Sequence, residues 1–204
     1  MKKRALLICL AVLVCLSGVG VRIWYVNKDR QDFVEKIYPM GEMVPYEDDF
    51  FYRSDEIRDM YEIGVLSARI MTTEEYLEEL GVTKEEVWGQ SDAPKLVIDV
   101  EALIRNNATG EEDSQTGIDT LNTILISGGD NFQVNSELLY TLYPQIEQQG
   151  NSGFRLQNNS EMVVHFPYAV IDWQPTSIER IKGQDLYMLL SMYPTKKMIK
   201  IELE

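Results

Sequence analysis

Few residues in this chain are suited to covalent or metal chemistry. It has 204 residues, with one histidine and two cysteines. The histidine, His165, lies in the alternating segment Glu161–Tyr168, where Met162, Val164, Phe166 and Tyr168 take the opposite face. It is therefore expected to point outward or to sit half covered. A serine triad needs a base held by a carboxylate, and no Gly-x-Ser-x-Gly elbow is present to supply the nucleophile. Cys9 and Cys15 both fall in an apolar N-terminal run, where they read as small apolar residues. No thiol follows them, so neither a Cys/His zinc site nor a disulfide framework is expected. Gly128-Gly129-Asp130 lacks the Gly-Lys-Ser/Thr ending of a phosphate loop and reads as a turn. Glycoside hydrolysis requires two carboxyl groups about 5–9 Å apart. The 33 acidic residues supply candidates everywhere and select none. The expectation is a non-enzymatic chain with no catalytic residue, no metal and no cofactor.

One stretch remains as a candidate binding site. Glu47, Asp48, Asp49, Phe50, Phe51 and Tyr52 interleave carboxylates with aromatics, and acidic residues recur at Asp55, Glu56 and Asp59. Oxygen-rich loops bind calcium, and exposed aromatics beside charges anchor protein partners. The glycine and terminal glutamate of an EF-hand loop are missing. Three readings stay open here: a solvated crossing loop in which Phe50 or Phe51 plugs the core, a partner site, or a calcium site.

The elements that must position these residues begin with a membrane segment. Lys2, Lys3 and Arg4 precede Ala5–Val21, seventeen residues without a charge. As a helix this run covers roughly 26 Å, slightly short of a hydrocarbon core of about 30 Å. Arg22 can snorkel, and Ile23, Trp24 and Tyr25 can extend the span into the headgroup layer. Ser17–Gly20 would suit a signal cleavage region, but continuous apolarity through Val21 favours a retained anchor. Cys15 follows Val12-Leu13-Val14, whereas a lipidated cysteine needs a small residue before it. The expected organisation is a cytoplasmic tail, anchor and stalk over residues 1–30. An extracytoplasmic domain over 31–204 follows, in a single-pass protein of the cell membrane.

Residues 1–30 carry a net charge of +5 and the whole chain −14, which leaves −19 on residues 31–204. That charge repels nucleic acid, and a nucleic-acid role is excluded. Phe33–Tyr38 reads as a first strand or a continued helix, and strands are expected at Tyr61–Met71, with a bulge near Val65-Leu66, and at Lys95–Arg105. Further strands are expected at Gly117–Ser127, Phe154–Leu156, Glu161–Tyr168, Asp185–Tyr193 and Lys196–Leu203. Thr72 with Glu75 forms a capping box for a helix ending at Gly81, and Thr83 with Glu86 repeats the spacing. Asn135 or Ser136 caps a second helix ended by Pro144, and Ile171–Lys182 reads as irregular apart from a turn near Ser177–Ile181. About seven strands separated by turn signals argue for a mostly β, antiparallel β-sandwich with two short helices.

The pattern also resembles a known family. The N-terminal anchor, Met40-Gly41-Glu42-Met43-Val44-Pro45-Tyr46, and Val65-Leu66-Ser67-Ala68 leading into Thr73-Glu74-Glu75-Tyr76-Leu77 carry the likeness. So do Ser152-Gly153-Phe154 and the ending Leu190-Ser191-Met192-Tyr193-Pro194-Thr195-Lys196-Lys197. These are similar to an uncharacterised, membrane-anchored domain-of-unknown-function family of clostridial Firmicutes (DUF5028-like). The resemblance implies an immunoglobulin-like fold outside the membrane and carries over no active-site residue. Anchor, compact domain and missing catalytic set together lead to an expected role as a protein- or peptide-binding module at the cell surface. A cation- or small-ligand-binding envelope sensor, or a carboxylate-dependent hydrolase, is the alternative.

Overall fold

A computed structural model describes residues 2–28, 34–52, 58–109, 117–148, 153–171 and 177–204. Asp55 and Glu56, the acidic tip Glu111–Asp113, the stalk end at Asp29–Arg30 and Ser152 lie outside the described residues. The chain divides into two compact units, Met1–Phe33 and Val34–Glu204.

The first unit is one helix, α1, Lys2–Asn27. Its apolar side chains at Val12, Leu13, Leu16, Val19, Val21, Ile23, Trp24 and Tyr25 are all exposed. The Lys28 ammonium caps this end over the Tyr25 ring, 4.6 Å from its centroid. Among the described residues no helix is long and apolar enough to cross a membrane. The side chains of residues 2–11, 14, 26 and 27 lie outside the described ones.

The second unit is mostly β. In chain order its elements are β1 (Val34–Tyr38), β2 (Val44–Pro45), β3 (Tyr61–Thr72), α2 (Thr73–Leu80), α3 (Lys84–Trp88) and β4 (Leu96–Asn106). Next come β5 (Ile118–Asp119), a short 3-10 turn at Thr120–Asn122, β6 (Ile124–Ser127), β7 (Asp130–Gln133), α4 (Ser136–Leu142) and α5 (Pro144–Gln148). The chain closes with β8 (Gly153–Phe154), β9 (Ser160–Val170), α6 (Ile178–Lys182), β10 (Leu186–Ser191) and β11 (Thr195–Ile201). One sheet has the order β1-β11-β10-β6-β7, a second β2-β3-β4-β9, and β5 pairs β8 apart from both.

The core follows from period-2 alternation. Ile98, Val100, Ala102 and Ile104 of β4 are fully buried, as are Val164, Phe166 and Tyr168 of the neighbouring β9. Leu125, Phe132, Met188, Leu190 and Ile199 of the other sheet join them in one cluster, so the two sheets share a single core. Full burial of each such side chain contributes about 1.5–3 kcal/mol. The expected bulge is present: register shifts between Val65 and Ser67, and Leu66 is left half exposed. Both capping boxes form as spaced, and Gly81 takes the left-handed conformation (φ 69°) that ends α2.

Three expectations need correction. The sandwich is not wholly antiparallel, because β1 runs parallel to β11 from Val34↔Thr195 to Tyr38↔Ile199. Alternation fixes which face a strand buries and is silent on its direction. The two expected helices are accompanied by α5 and the 3-10 turn, and the turns expected after Thr83 and near Ser177–Ile181 are short helices, α3 and α6. Pro144 does not merely stop α4; it opens α5 at the first helical position, where a missing N–H leaves nothing unsatisfied. Finally, the single strand expected over Gly117–Ser127 is split by the 3-10 turn into β5 and β6.

Candidate binding face

The acidic-aromatic segment is tied to the C-terminal strand by one lysine. Lys197 is fully buried on the face of β11 that also carries Ile199 and Ile201. Its Nζ donates to the carbonyls of Pro45 at 2.7 Å and Tyr46 at 3.1 Å. The same ammonium lies 2.6 Å from Glu47 Oε2 and 2.7 Å from Asp49 Oδ2. Asp49 Oδ1 in turn accepts the backbone N–H of Thr195 at 2.9 Å. Hydrogen bonding and attraction to Lys197 hold the Glu47 carboxyl below its usual range. Of the six residues singled out by sequence, Glu47 and Asp49 therefore serve an internal cation.

The aromatics divide between core and surface. Phe51 is buried against Leu189 and Met198 on the outer face of the five-stranded sheet, with Ile124, Ile126, Tyr187 and Met192 around them. Phe50 forms a bridge to Tyr193 and stacks with its ring at 6.1 Å. Asp48 and Tyr52 stay exposed, and Tyr52 meets Phe51 edge to face at 4.6 Å. The segment thus covers one part of the outer sheet face, where the sequence reading has Phe50 or Phe51 plugging the core between the sheets, and it leaves Tyr52 at its margin.

The rest of that face is open. A groove of about 380 Å³ runs across it, floored by Ile37, Ile126, Tyr187 and Met198, with Glu35, Lys196 and the Gly128–Asn131 turn at its rim. Met198 belongs both to the covered patch and to the open groove, which makes the apolar strip continuous. Glu35 and Lys196 pair at 2.8 Å along one wall. Gly128 and Gly129, with φ of 56° and 118°, allow the β6–β7 turn to close tightly beside the floor. Sequence reading missed the groove because its residues come from β1, the β6–β7 hairpin and the β10–β11 pair, which meet only in the folded sheet. For the carboxylate clamp, in contrast, a usable signal was Lys197, a lysine at an inward position of an apolar alternation.

A second polar group lies on the outer face of the four-stranded sheet. Asp99 is 2 % exposed. Its carboxylate lies 3.0 and 3.3 Å from His165 Nδ1, 3.2 Å from Arg69 Nη2 and 3.4 Å from the Tyr76 hydroxyl. His165 Nε2 faces Glu101 at 4.0 Å, Arg69 also pairs with Glu79, and Ser67 donates to Glu101. The Tyr143 hydroxyl, from the C-cap of α4, accepts the His165 backbone N–H at 2.8 Å. As expected, the imidazole is half covered. Its hydrogen bond to Asp99, with the Asp99 and Glu101 charges, raises its pKa against the opposing effects of burial and Arg69. Burial raises the Tyr76 and Tyr143 hydroxyls, so both stay protonated near neutrality. The arrangement orients the imidazole on a carboxylate, and the groups gathered around it are two carboxylates, an arginine and two phenols.

This cluster predicts a pH dependence. A histidine with a raised folded pKa adds stability fully below its unfolded value of about 6.5, and that contribution fades as pH rises through the folded pKa. The melting-temperature gap between the native chain and His165→Gln is expected to be widest near pH 5.5 and to narrow by pH 9. A gap that stays constant across this range would show that imidazole charge adds nothing to stability.

Fold and site together define a class: a two-sheet β-sandwich with an apolar groove on one open face. Residues 35–197 match the family described as Domain of unknown function (DUF5028), and the chain belongs to that family. No curated protein and no solved structure matches the chain.

Proposed function

We propose that this is a membrane-tethered, extracytoplasmic, non-enzymatic domain with an immunoglobulin-like sandwich that binds a protein or peptide at the bacterial surface. The open groove over Ile37, Ile126, Tyr187 and Met198 carries the reading, because a partly apolar, partly polar furrow on a sheet face suits an extended segment of another chain. The uncharged run Ala5–Val21, inside one continuous helix and flanked by basic residues, supports the tether. The calcium alternative is weakened where Glu47 and Asp49 already share the Lys197 ammonium.

A photo-reactive residue placed at Tyr187 of the full-length protein in intact cells tests the site. It is expected to give a recurrent adduct, whereas the same group at Glu74, on the exposed side of α2, is expected to give none. Ile126→Asp should reduce the Tyr187 adduct by about tenfold or more, as for loss of an interface anchor. Equal labelling from both positions, or none from Tyr187, would remove the groove as the binding site. Resistance of the full chain to alkaline extraction, lost on deleting residues 1–30, checks the tether.

A further inference from the structure

The geometry points to a covalent function for the lysine cluster: we propose that Lys197 and Asp49 join through a side-chain amide bond, with Glu47 as the proton relay. The inference is independent of the groove. A fully buried amine sits 2.7 Å from a carboxylate oxygen whose residue is itself only 4 % exposed. Holding two reacting groups in contact converts a bimolecular condensation into an intramolecular one, with effective concentrations of about 10⁵ M or more in favourable geometries. Two further features match the requirements of amide formation. The Thr195 N–H, 2.9 Å from Asp49 Oδ1, is placed to hold the oxyanion that develops as nitrogen adds to the carboxyl carbon. Glu47 Oε2, 2.6 Å from Nζ and kept ionised by Lys197, is placed to take the proton that the ammonium must lose.

The step balances without any other reactant. One ammonium proton passes to Glu47, and the freed lone pair attacks Asp49 Cγ while negative charge collects on Oδ1. Oδ2 then departs as water, taking the proton from Glu47 and a second one from the nitrogen, and Glu47 is returned ionised. A C–N bond forms, a C–O bond breaks, and nothing is oxidised or reduced. The pocket favours the product because burial removes the water that would drive hydrolysis and leaves a neutral amide where two charges stood. The Pro45 and Tyr46 carbonyls hold the nitrogen beside the Asp49 carboxylate and can accept the amide N–H. The link would fasten the segment after β2 to the last strand, closing the domain nearly end to end.

The test is mass spectrometry of the full-length purified protein under denaturing conditions. The native chain is expected to be lighter than its sequence by one water, and proteolysis is expected to yield a branched peptide joining Asp49 to Lys197. Glu47→Gln removes the relay at a side chain that is largely exposed, so it is expected to keep the β signal in circular dichroism and to restore the unmodified mass. Lys197→Arg, which cannot condense in this way, is expected to do the same. A native chain that is folded by circular dichroism and has its unmodified mass after prolonged incubation overturns the proposal and leaves a buried ion pair. A branched peptide that persists undiminished in Glu47→Gln overturns the assigned relay.

Discussion

Replacing Lys197 by methionine is expected to destabilise the domain by about 3–5 kcal/mol, the range for removing one partner of a buried ion pair. Methionine fills much of the same volume, so the loss is not chiefly a cavity. It comes from the groups left behind. Asp49 stays buried without its ammonium, and the carbonyls of Pro45 and Tyr46 lose a donor inside the protein. Glu47 suffers less, because its side chain is 62 % exposed and water can replace the lysine. The strain then spreads along the outer sheet face, since Phe51 follows Asp49 by two residues and covers Leu189 and Met198. Urea unfolding of the Lys197→Met full chain, compared with Glu47→Gln so that both proteins lack the amide, measures what the buried Lys197 contributes through Asp49 and the two carbonyls. A difference below about 1 kcal/mol would place this cluster among ordinary surface pairs.

Phe166→Ala is expected to cost a similar amount, about 3–5 kcal/mol, through a different mechanism. Phe166 is fully buried near the middle of β9, opposite Val100 on β4. Its cluster draws on both sheets, so truncation opens a void that neither sheet can fill by moving alone. The transition midpoint in urea should fall while its slope stays near that of the native chain. The groove provides the contrast: Tyr187→Ala should change stability by much less, because that ring lies only partly covered on the outer face. If Phe166→Ala cost no more than Tyr187→Ala, the two sheets would not share the core described here.

The comparison between sequence and structure turns on range. Features set by neighbours a few residues apart were legible. Thr72 with Glu75 and Thr83 with Glu86 formed the two capping boxes because a cap depends on spacing within one helical turn. The Val65-Leu66 slip in alternation became a bulge, and His165 emerged half covered opposite a buried stripe. Pro144 misled because its local chemistry suits both ends of the reading: it halts a preceding helix and also begins a new one.

Glu47–Tyr52 shows the limit from the other direction. Its composition marked it as unusual, and the structure gives the reason for its acids: Lys197, 150 positions after Glu47, is buried among them. Local pattern cannot rank a calcium loop against a clamp on a distant lysine, since both ask for oxygens in a turn. The groove is less legible still, because Glu35, Ile126, Tyr187 and Met198 become neighbours only through strand order.

By itself the sequence determined an apolar helical N-terminus, a strongly acidic remainder, strand and helix positions from their periods and caps, and membership of a domain-of-unknown-function family. The tertiary structure alone decided that β1 lies parallel to β11, that a lysine and an aspartate meet in the interior, and that the five strands of one sheet line a groove. Each of those depends on pairing between residues far apart in the chain, where side-chain period is blind to direction and partner.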